Sequence, residues 1–314
     1  MEIISSTPLA SFFQQIEFRF QQGYQRRKTY WQQYAEEVPS STKQNVYTWL
    51  AELPGLRKWV GPKLARNIAA RAVALINDDY EDTMEIDRND IDDDVAGVYG
   101  RKAELMGDAG SRWGDDLVTS ALINGNSTVC FDGQNFFDTA HPVDVDDTSQ
   151  GTYQNSFTSR PLNQANFNFV YSQMQSYKGE SGKPLEIEPT LLVTTPANRE
   201  IAFEICKAPL IAQIAKNAAG TDNVASAAAS NVNMGEVTPL ILPRLIDDTA
   251  GVWYLLSTNR LKPFLFQVRK PVTPVMMVDP QNPIVFNQRK FHWGVEARGA
   301  AGVTLPFLAA RAVP

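Results

Sequence analysis

The chain is short of the side chains that carry covalent or metal chemistry: 314 residues hold two cysteines and two histidines. Cys130 and Cys206 cannot make a disulfide framework, which points to a reducing compartment. No Cys or His pair stands at the spacing of a zinc motif, and no G-x-S-x-G elbow or strand-borne G-x-G-x-x-G occurs. The acidic run from Asp87 fails as an EF-hand loop, because Ile91 takes its fifth position and Asp92 replaces the required sixth glycine. Gly179 to Lys183 has only the composition of a phosphate loop, with Pro184 where Ser or Thr belongs. No apolar run approaches membrane-spanning length, and the start lacks the basic-then-apolar signature of a signal peptide. Positive charge is scarce too. A net charge of −6 argues against a dedicated nucleic-acid binder, since phosphate contacts need clustered Lys and Arg. The expectation is a soluble cytosolic product with no active site, cofactor or metal.

What is abundant is acid in one place and base in another. Residues 78–94 carry ten acidic side chains against the single Arg88. The tail from Ser257 carries eight basic residues, including Arg289, Lys290 and Arg298, against Asp279 and Glu296. Such asymmetry suits subunits meeting head to tail, although a solvated acidic face has the same composition. Tyr80 to Ile91 reads as an acidic strand. Asp92, Asp93 and Asp94 offer an N-cap, and from Val95 apolar residues fall at helical spacing as far as Leu122. Asn124-Gly125 should stop the helix, with Gly125 at C′. Five interior glycines (Gly97, Gly100, Gly107, Gly110, Gly114) would each cost roughly 1 kcal/mol against Ala. Packing must therefore hold this spine, the glycines letting another backbone come close; a kinked helix is the alternative.

Around that spine, residues 1–36 read as an amphipathic helix whose aromatics (Phe12, Phe13, Phe20, Tyr24, Trp31) need covering by the chain's own core or a neighbour. Val46 to Leu53 and Leu56 to Val60 read as a hairpin about Pro54-Gly55, flanked by Trp49 and Trp59. Two strands alone are barely stable in water, so a neighbour is the natural support. Thr128 to Val143 gives a turn at Asp132-Gly133 with Phe136, Phe137 and His141 as anchors, before a polar loop to Ser159. Helices are expected at Leu162–Tyr177 and Ala197–Lys207, and a helix with a mobile loop over 208–236. Strand signals dominate thereafter, Ile284 to Phe286 among them. Strands before the spine, then helices, then strands make an α+β fold. A metal or nucleophilic site could be sought in Cys130, Asp132, Asp138 and His141, but a turn with a buried or capping His is the favoured reading.

Three stretches carry a resemblance. STKQNVYTWL from Ser41, continuing in LRKWVG from Leu56, the acidic strand Tyr80 to Asp93, and CFDGQNFFD from Cys130 with His141-Pro142 resemble the major head subunit of Mu-like bacteriophages. Glu188 to Val193 and Arg298 to Gly302 are similar to later parts of the same family. The resemblance implies a tailed-phage major capsid fold of the Hong Kong 97 type. By order, 1–45 would be the N-terminal arm, 46–79 the extended E-loop and 80–195 most of the peripheral (P) domain, with 95–124 as spine helix. Residues 196–258 would form the axial (A) domain, and 259–314 would complete the P-domain sheet. It further implies self-assembly into pentamers and hexamers of an icosahedral shell around double-stranded DNA, held only by weak contact. A scaffold, a portal at one vertex and a decoration protein would be partners, with assembly in the host bacterial cytoplasm and no membrane involved. Inter-subunit contacts would run through Trp49, Leu50, Leu53, Leu56 and Trp59. Arg57, Lys58, Lys63 and Arg298 would meet a neighbour's Asp87, Asp90, Asp92 and Asp93. Two alternatives remain: an encapsulin-like compartment shell, and a metal-dependent hydrolase using His141, Asp138 and Cys130.

Overall fold

In a computed structural model the described residues are 6–50, 70–92, 96–180, 182–216, 222–247, 251–279 and 282–314. The chain opens with α1 (Ser6–Arg26), a 3-10 turn Trp31–Gln33, β1 (Ala35–Pro39), β2 (Gln44–Leu50), β3 (Ala70–Ile76), β4 (Asp78–Asp87), α2 (Arg88–Asp92) and α3 (Ala96–Ile123). It continues with β5 (His141–Pro142), β6 (Thr152–Tyr153), β7 (Ser156–Phe157), α4 (Gln164–Gln175), β8 (Leu191–Thr194), α5 (Arg199–Lys207), β9 (Leu210–Lys216) and β10 (Asp222–Ser230). It closes with β11 (Thr238–Ile241), β12 (Trp253–Leu256), β13 (Phe264–Met277), α6 (Pro283–Gln288), β14 (Lys290–Val303) and β15 (Ala309–Ala312). These elements form two compact units, each assembled from three segments: 1–45, 74–120 and 265–302 in the first, and 46–73, 121–264 and 303–314 in the second.

The first unit is a four-stranded sheet in the order β1-β13-β14-β4 with two long helices packed together. In β4, Met84 and Ile86 are buried while Thr83 and Glu85 are exposed, the alternation of a strand with one face on a core. That core takes Phe12, Phe13, Ile16 and Phe20 from α1, Ala103 and Met106 from α3, and Phe291 and Trp293 from β14. Edge-on ring pairs join α1 to β14, Phe13 on Phe291 at 5.9 Å and Phe20 on Trp293 at 5.5 Å. These aromatics of the leading segment are therefore covered by the chain's own core.

The spine helix runs unbroken for 28 residues, and its glycines sit where something else must pass. A Cβ on Gly107 would lie 2.2 Å from the Phe20 carbonyl oxygen, and one on Gly23 of α1 would lie 2.0 Å from that of Glu104. The two backbones touch through reciprocal glycines, an approach closed to any side chain. A Cβ on Gly114 would fall 2.6 Å from the Trp31 indole nitrogen. One residue along, the buried Asp115 carboxylate accepts the Tyr30 and Trp31 backbone N–H groups, both at 2.8 Å, and so caps the 3-10 turn.

The second unit is a five-stranded mixed sheet in the order β11-β8-β12-β15-β7. All four residues of β8 and all four of β12 are buried. Helices α4 and α5 supply Phe167, Val170, Met174, Ala202, Ile205 and Cys206 to its core, together with Trp253 and Phe307. Burial pushes the Cys206 thiol up to about 11, so it stays a protonated, packed side chain.

The structure differs from the sequence expectations at five places. The leading helix ends at Arg26, because Thr29 to Gln33 turn over α3 instead of extending. The acidic strand stops at Asp87, whose carboxylate accepts the Asn89 N–H at 2.9 Å and starts α2 where strand was expected. Gly125 has no left-handed φ; it is buried, and a Cβ there would meet the Phe137 ring at 2.8 Å, so packing and not a helix cap requires it. Strands β9 and β10 pair antiparallel where a helix and loop were expected, pairing having overridden the helical preference of alanine. Pro283–Gln288 is helical despite its β-branched residues, with Pro283 at the first position and Arg289 closing it at φ 56°. Strand β2 is hydrogen-bonded to β3, and the expected return strand Leu56 to Val60 lies outside the described residues.

Gly107→Ala should test the crossing against intrinsic propensity. The added methyl favours helix by roughly 1 kcal/mol but must displace the Phe20 backbone, so the melting temperature should fall. Gly97→Ala, with nothing within 4 Å of the new methyl, should leave it unchanged or slightly raised. Equal shifts in the two variants would refute the close-crossing account.

Candidate functional site

Two regions concentrate polar side chains. The first is the acidic strand β4, an edge of its sheet, antiparallel to β14 with Asp79 opposite Arg298 and Asp87 opposite Lys290. Arg298 Nε lies 3.2 Å from Asp79 Oδ1, and Lys290 reaches diagonally across the pair to Glu85. The Glu85 carboxyl is held below its ordinary value by the hydrogen bond from Lys290, and Lys290 is raised by the same contact. Part of the acid–base complementarity seen in the sequence is thus met inside the chain, strand against strand. Asp78, Glu81 and Asp82 still present exposed carboxylates along this edge.

Among the contact residues expected from the sequence, Asp87 caps α2 and Asp90 accepts a hydrogen bond from the Tyr99 hydroxyl. Asp92 ends α2, Arg298 pairs with Asp79, and Trp49 and Leu50 fall at the end of β2. Leu53, Leu56, Arg57, Lys58, Trp59, Lys63 and Asp93 lie outside the described residues. On the solvent side of α3, Val98 and Leu105 stand two turns apart and are 66% and 59% exposed. That short apolar stripe is uncovered in the single chain.

The second region is a buried cluster in the loop after α3. A tight turn, closed by Cys130 N–H donating to Gln134 O at 2.8 Å, presents Cys130 and Asp132 side by side; Gly133, at φ +84°, permits it. The Cys130 thiol donates to Asp132 Oδ1 at 2.8 Å, and His141 Nδ1 lies 2.6 Å from Asp132 Oδ2. His141 Nε2 lies 3.2 Å from Asn155 Oδ1. The Asn155 amide is fixed by donating to Phe136 O at 2.7 Å and Pro306 O at 2.9 Å, while its oxygen also accepts the Asp138 N–H at 2.9 Å. Tyr153 stacks on the imidazole, ring centroids 5.1 Å apart. Burial raises the Cys130 thiol far above its usual range, assisted by the adjacent carboxylate. Burial alone would raise Asp132 as well, but hydrogen bonds from His141 and Cys130 hold it below the usual carboxylate range.

This geometry corrects the grouping of His141, Asp138 and Cys130 as a hydrolase site. Asp138 turns away, its carboxylate accepting the Thr139 and Ala140 N–H groups at 2.7 and 3.1 Å, and Asp132 takes its place. His141 is fully buried, so no substrate reaches it. Sequence reasoning missed Asn155, hidden in a loop of low complexity. It also missed Asn231, which donates to the Ile205 and Ala208 carbonyls at 2.8 and 2.9 Å and closes the end of α5. No periodicity or motif marks either residue.

A family model described as the Mu-like prophage major head subunit gpT matches residues 9–161, 150–228 and 233–313. Over 291 residues the chain is 27% identical to the Mu-like prophage FluMu major head subunit of Haemophilus influenzae, covering 90% of this chain and 66% of that protein. It is 35% identical over 151 residues to the major capsid protein of Escherichia phage Mu, covering 46% of this chain and 50% of that one. The chain thus spans between half and two thirds of the length of these curated relatives. The bacteriophage JBD30 procapsid chain shares its fold, with a TM-score of 0.57 at 24% identity over 98% of this chain and 75% of that chain. The α+β architecture expected from the sequence, of the Hong Kong 97 type, is the one found.

Asn155→Ala should strip one acceptor and two donors from buried partners. A loss of about 2–4 kcal/mol is expected, read as a lower urea midpoint at unchanged slope. A midpoint within experimental error of the wild type would show that the amide carries no such role.

Proposed function

The chain belongs to the Mu-like prophage major head subunit gpT family, and from that premise we propose that it is the repeating, non-enzymatic subunit of a phage head. Copies of the chain associate into pentamers and hexamers that close an icosahedral shell around double-stranded DNA. The observation that carries this reading is the family match, which runs from residue 9 to residue 313. On this reading the regions would be an arm over 1–45, an extended loop over 46–79, a peripheral domain over 80–195 with its spine helix, an axial domain over 196–258 and return strands over 259–314. Scaffold, portal and decoration proteins would join the shell, and assembly would take place in the host bacterial cytoplasm.

The physical case is one of repetition. Trp49, Leu50, Leu53, Leu56 and Trp59 of one copy supply apolar contact for a neighbour, for which the exposed Val98 and Leu105 stripe offers a receiving surface. Arg57, Lys58 and Lys63 complement the exposed carboxylates of β4, together with Asp87, Asp90, Asp92 and Asp93. Arg298 supports that edge from within, through Asp79. Exposed ion pairs contribute only about 0–1 kcal/mol each, so they set orientation while apolar contacts hold the shell. An acidic inventory of 35 carboxylates against 29 Lys and Arg suits DNA that must move and not adhere.

Negative-stain microscopy of the purified chain, with and without a co-expressed scaffold, should show closed shells or five- and six-membered rings. The Trp49→Ala/Trp59→Ala double variant should remain folded by circular dichroism yet lose these assemblies. A monodisperse monomer under every condition would overturn the proposal.

A further inference from the structure

We propose that Cys130, Asp132 and His141 form a site for one divalent cation of the zinc class, a structural clasp on the loop between α3 and β6. A sulfur, an imidazole nitrogen and a carboxylate oxygen from these residues all lie within 4.8 Å of one another. Cys130 and His141 are buried, and the Asp132 side chain is almost fully so. The Asp132 carboxylate stands between the other two, one oxygen toward each. Acting as a two-oxygen ligand, it would complete four donors with Sγ and Nδ1. Zinc bond lengths of about 2.0–2.3 Å put neighbouring nitrogen, oxygen and sulfur ligands about 3.2–3.7 Å apart. The contacts of 2.8 and 2.6 Å would therefore open by about 0.5–1 Å as a cation entered, a small movement for three side chains on one short loop.

Hydrogen-bond accounting leaves a place for the cation. Both ring nitrogens of His141 face acceptor oxygens, Asp132 Oδ2 on one side and Asn155 Oδ1 on the other. A neutral imidazole has one N–H to give, so one of these contacts needs a second proton or a metal. The Asn155 oxygen cannot be exchanged for its NH₂ group, because that group is committed to two carbonyls. Without a metal the short Nδ1 contact is a hydrogen bond to Asp132; with one, Nε2–H would donate to Asn155 and the Nδ1 lone pair would face the ion, the arrangement in which an outer partner orients a metal-bound histidine. The Gln134 N–H, 3.0 Å from Asp132 Oδ1, is a second such outer contact. Charge agrees as well. A thiolate and a carboxylate together neutralise a dication, and a neutral cluster is far cheaper to bury than a net charge. The mixture of thiolate and imidazole selects zinc over calcium or magnesium, which prefer all-oxygen shells. Binding would release the Cys130 thiol proton to solvent, the cation taking its place on sulfur.

Elemental analysis of the purified full chain should find about one zinc per chain. Removing it with a chelator should lower the melting temperature, and zinc sulfate should restore it. Cobalt chloride added to the chelated protein should give the near-ultraviolet absorption of a thiolate bound to cobalt, and Cys130→Ser should abolish that band. Chelated wild-type protein that takes up neither zinc nor cobalt would overturn the proposal, as would a cobalt band surviving in Cys130→Ser. The wild-type titrations decide the matter even where the variant does not fold. None of these readouts depends on shell assembly, so a failure here leaves the capsid reading untouched.

Discussion

The contact on which the first unit depends is the crossing of α1 and α3 at Gly23 and Gly107. Two helices meet with backbone atoms closer than any side chain allows, because each has a glycine where the other's carbonyl projects. That approach sets the rest of the neighbourhood. It lets Phe13 and Phe20 reach down to β14, and it brings Arg26 onto Glu104. Further along the same helix, Trp31 lies over Gly114 and Asp115 caps the turn that carries it. The glycines that weaken α3 as an isolated helix are the reason it serves as a spine.

Where regular structure is sparse, buried amides take over the work that ladders do elsewhere. Asn155 ties the loop after α3 to the chain's end at Pro306, and Asn231 gathers the last carbonyls of α5. Asn77 does the same in the first unit, donating to Thr42 O at 2.9 Å and accepting from Gln267 at 2.6 Å. Each spans a large gap in sequence and satisfies backbone groups that burial would otherwise strand. The Cys130–Asp132–His141 cluster belongs to this class of device, with the added property that its donors match a soft cation.

The shell role proposed for this chain would require it to be stable alone and adhesive in company. The structure divides these tasks between β14 and β4: Met84, Ile86, Phe291 and Trp293 are buried in the core, while carboxylates line the outer edge. Cross-strand pairs such as Arg298 with Asp79 remove part of the repulsion that so many acids would create in one strand.

Features set by local pattern were determined by the sequence alone. The 3.6-residue spacing marked α3 almost to its ends, the glycines announced a close neighbour, and the acidic run before the spine read as a strand. Short motifs carried the family. Tertiary structure alone decided the features that involve partners far apart in the chain. Which backbone the glycines admit, and that Gly125 serves Phe137 and not a helix end, are settled by packing against residues of other elements. Asp132 displaced Asp138 beside His141 because a turn at Gly133 swung it inward, and Asn155 joined them across a loop without periodicity. A sequence pattern reports which face of an element is buried; it does not report what is buried against it.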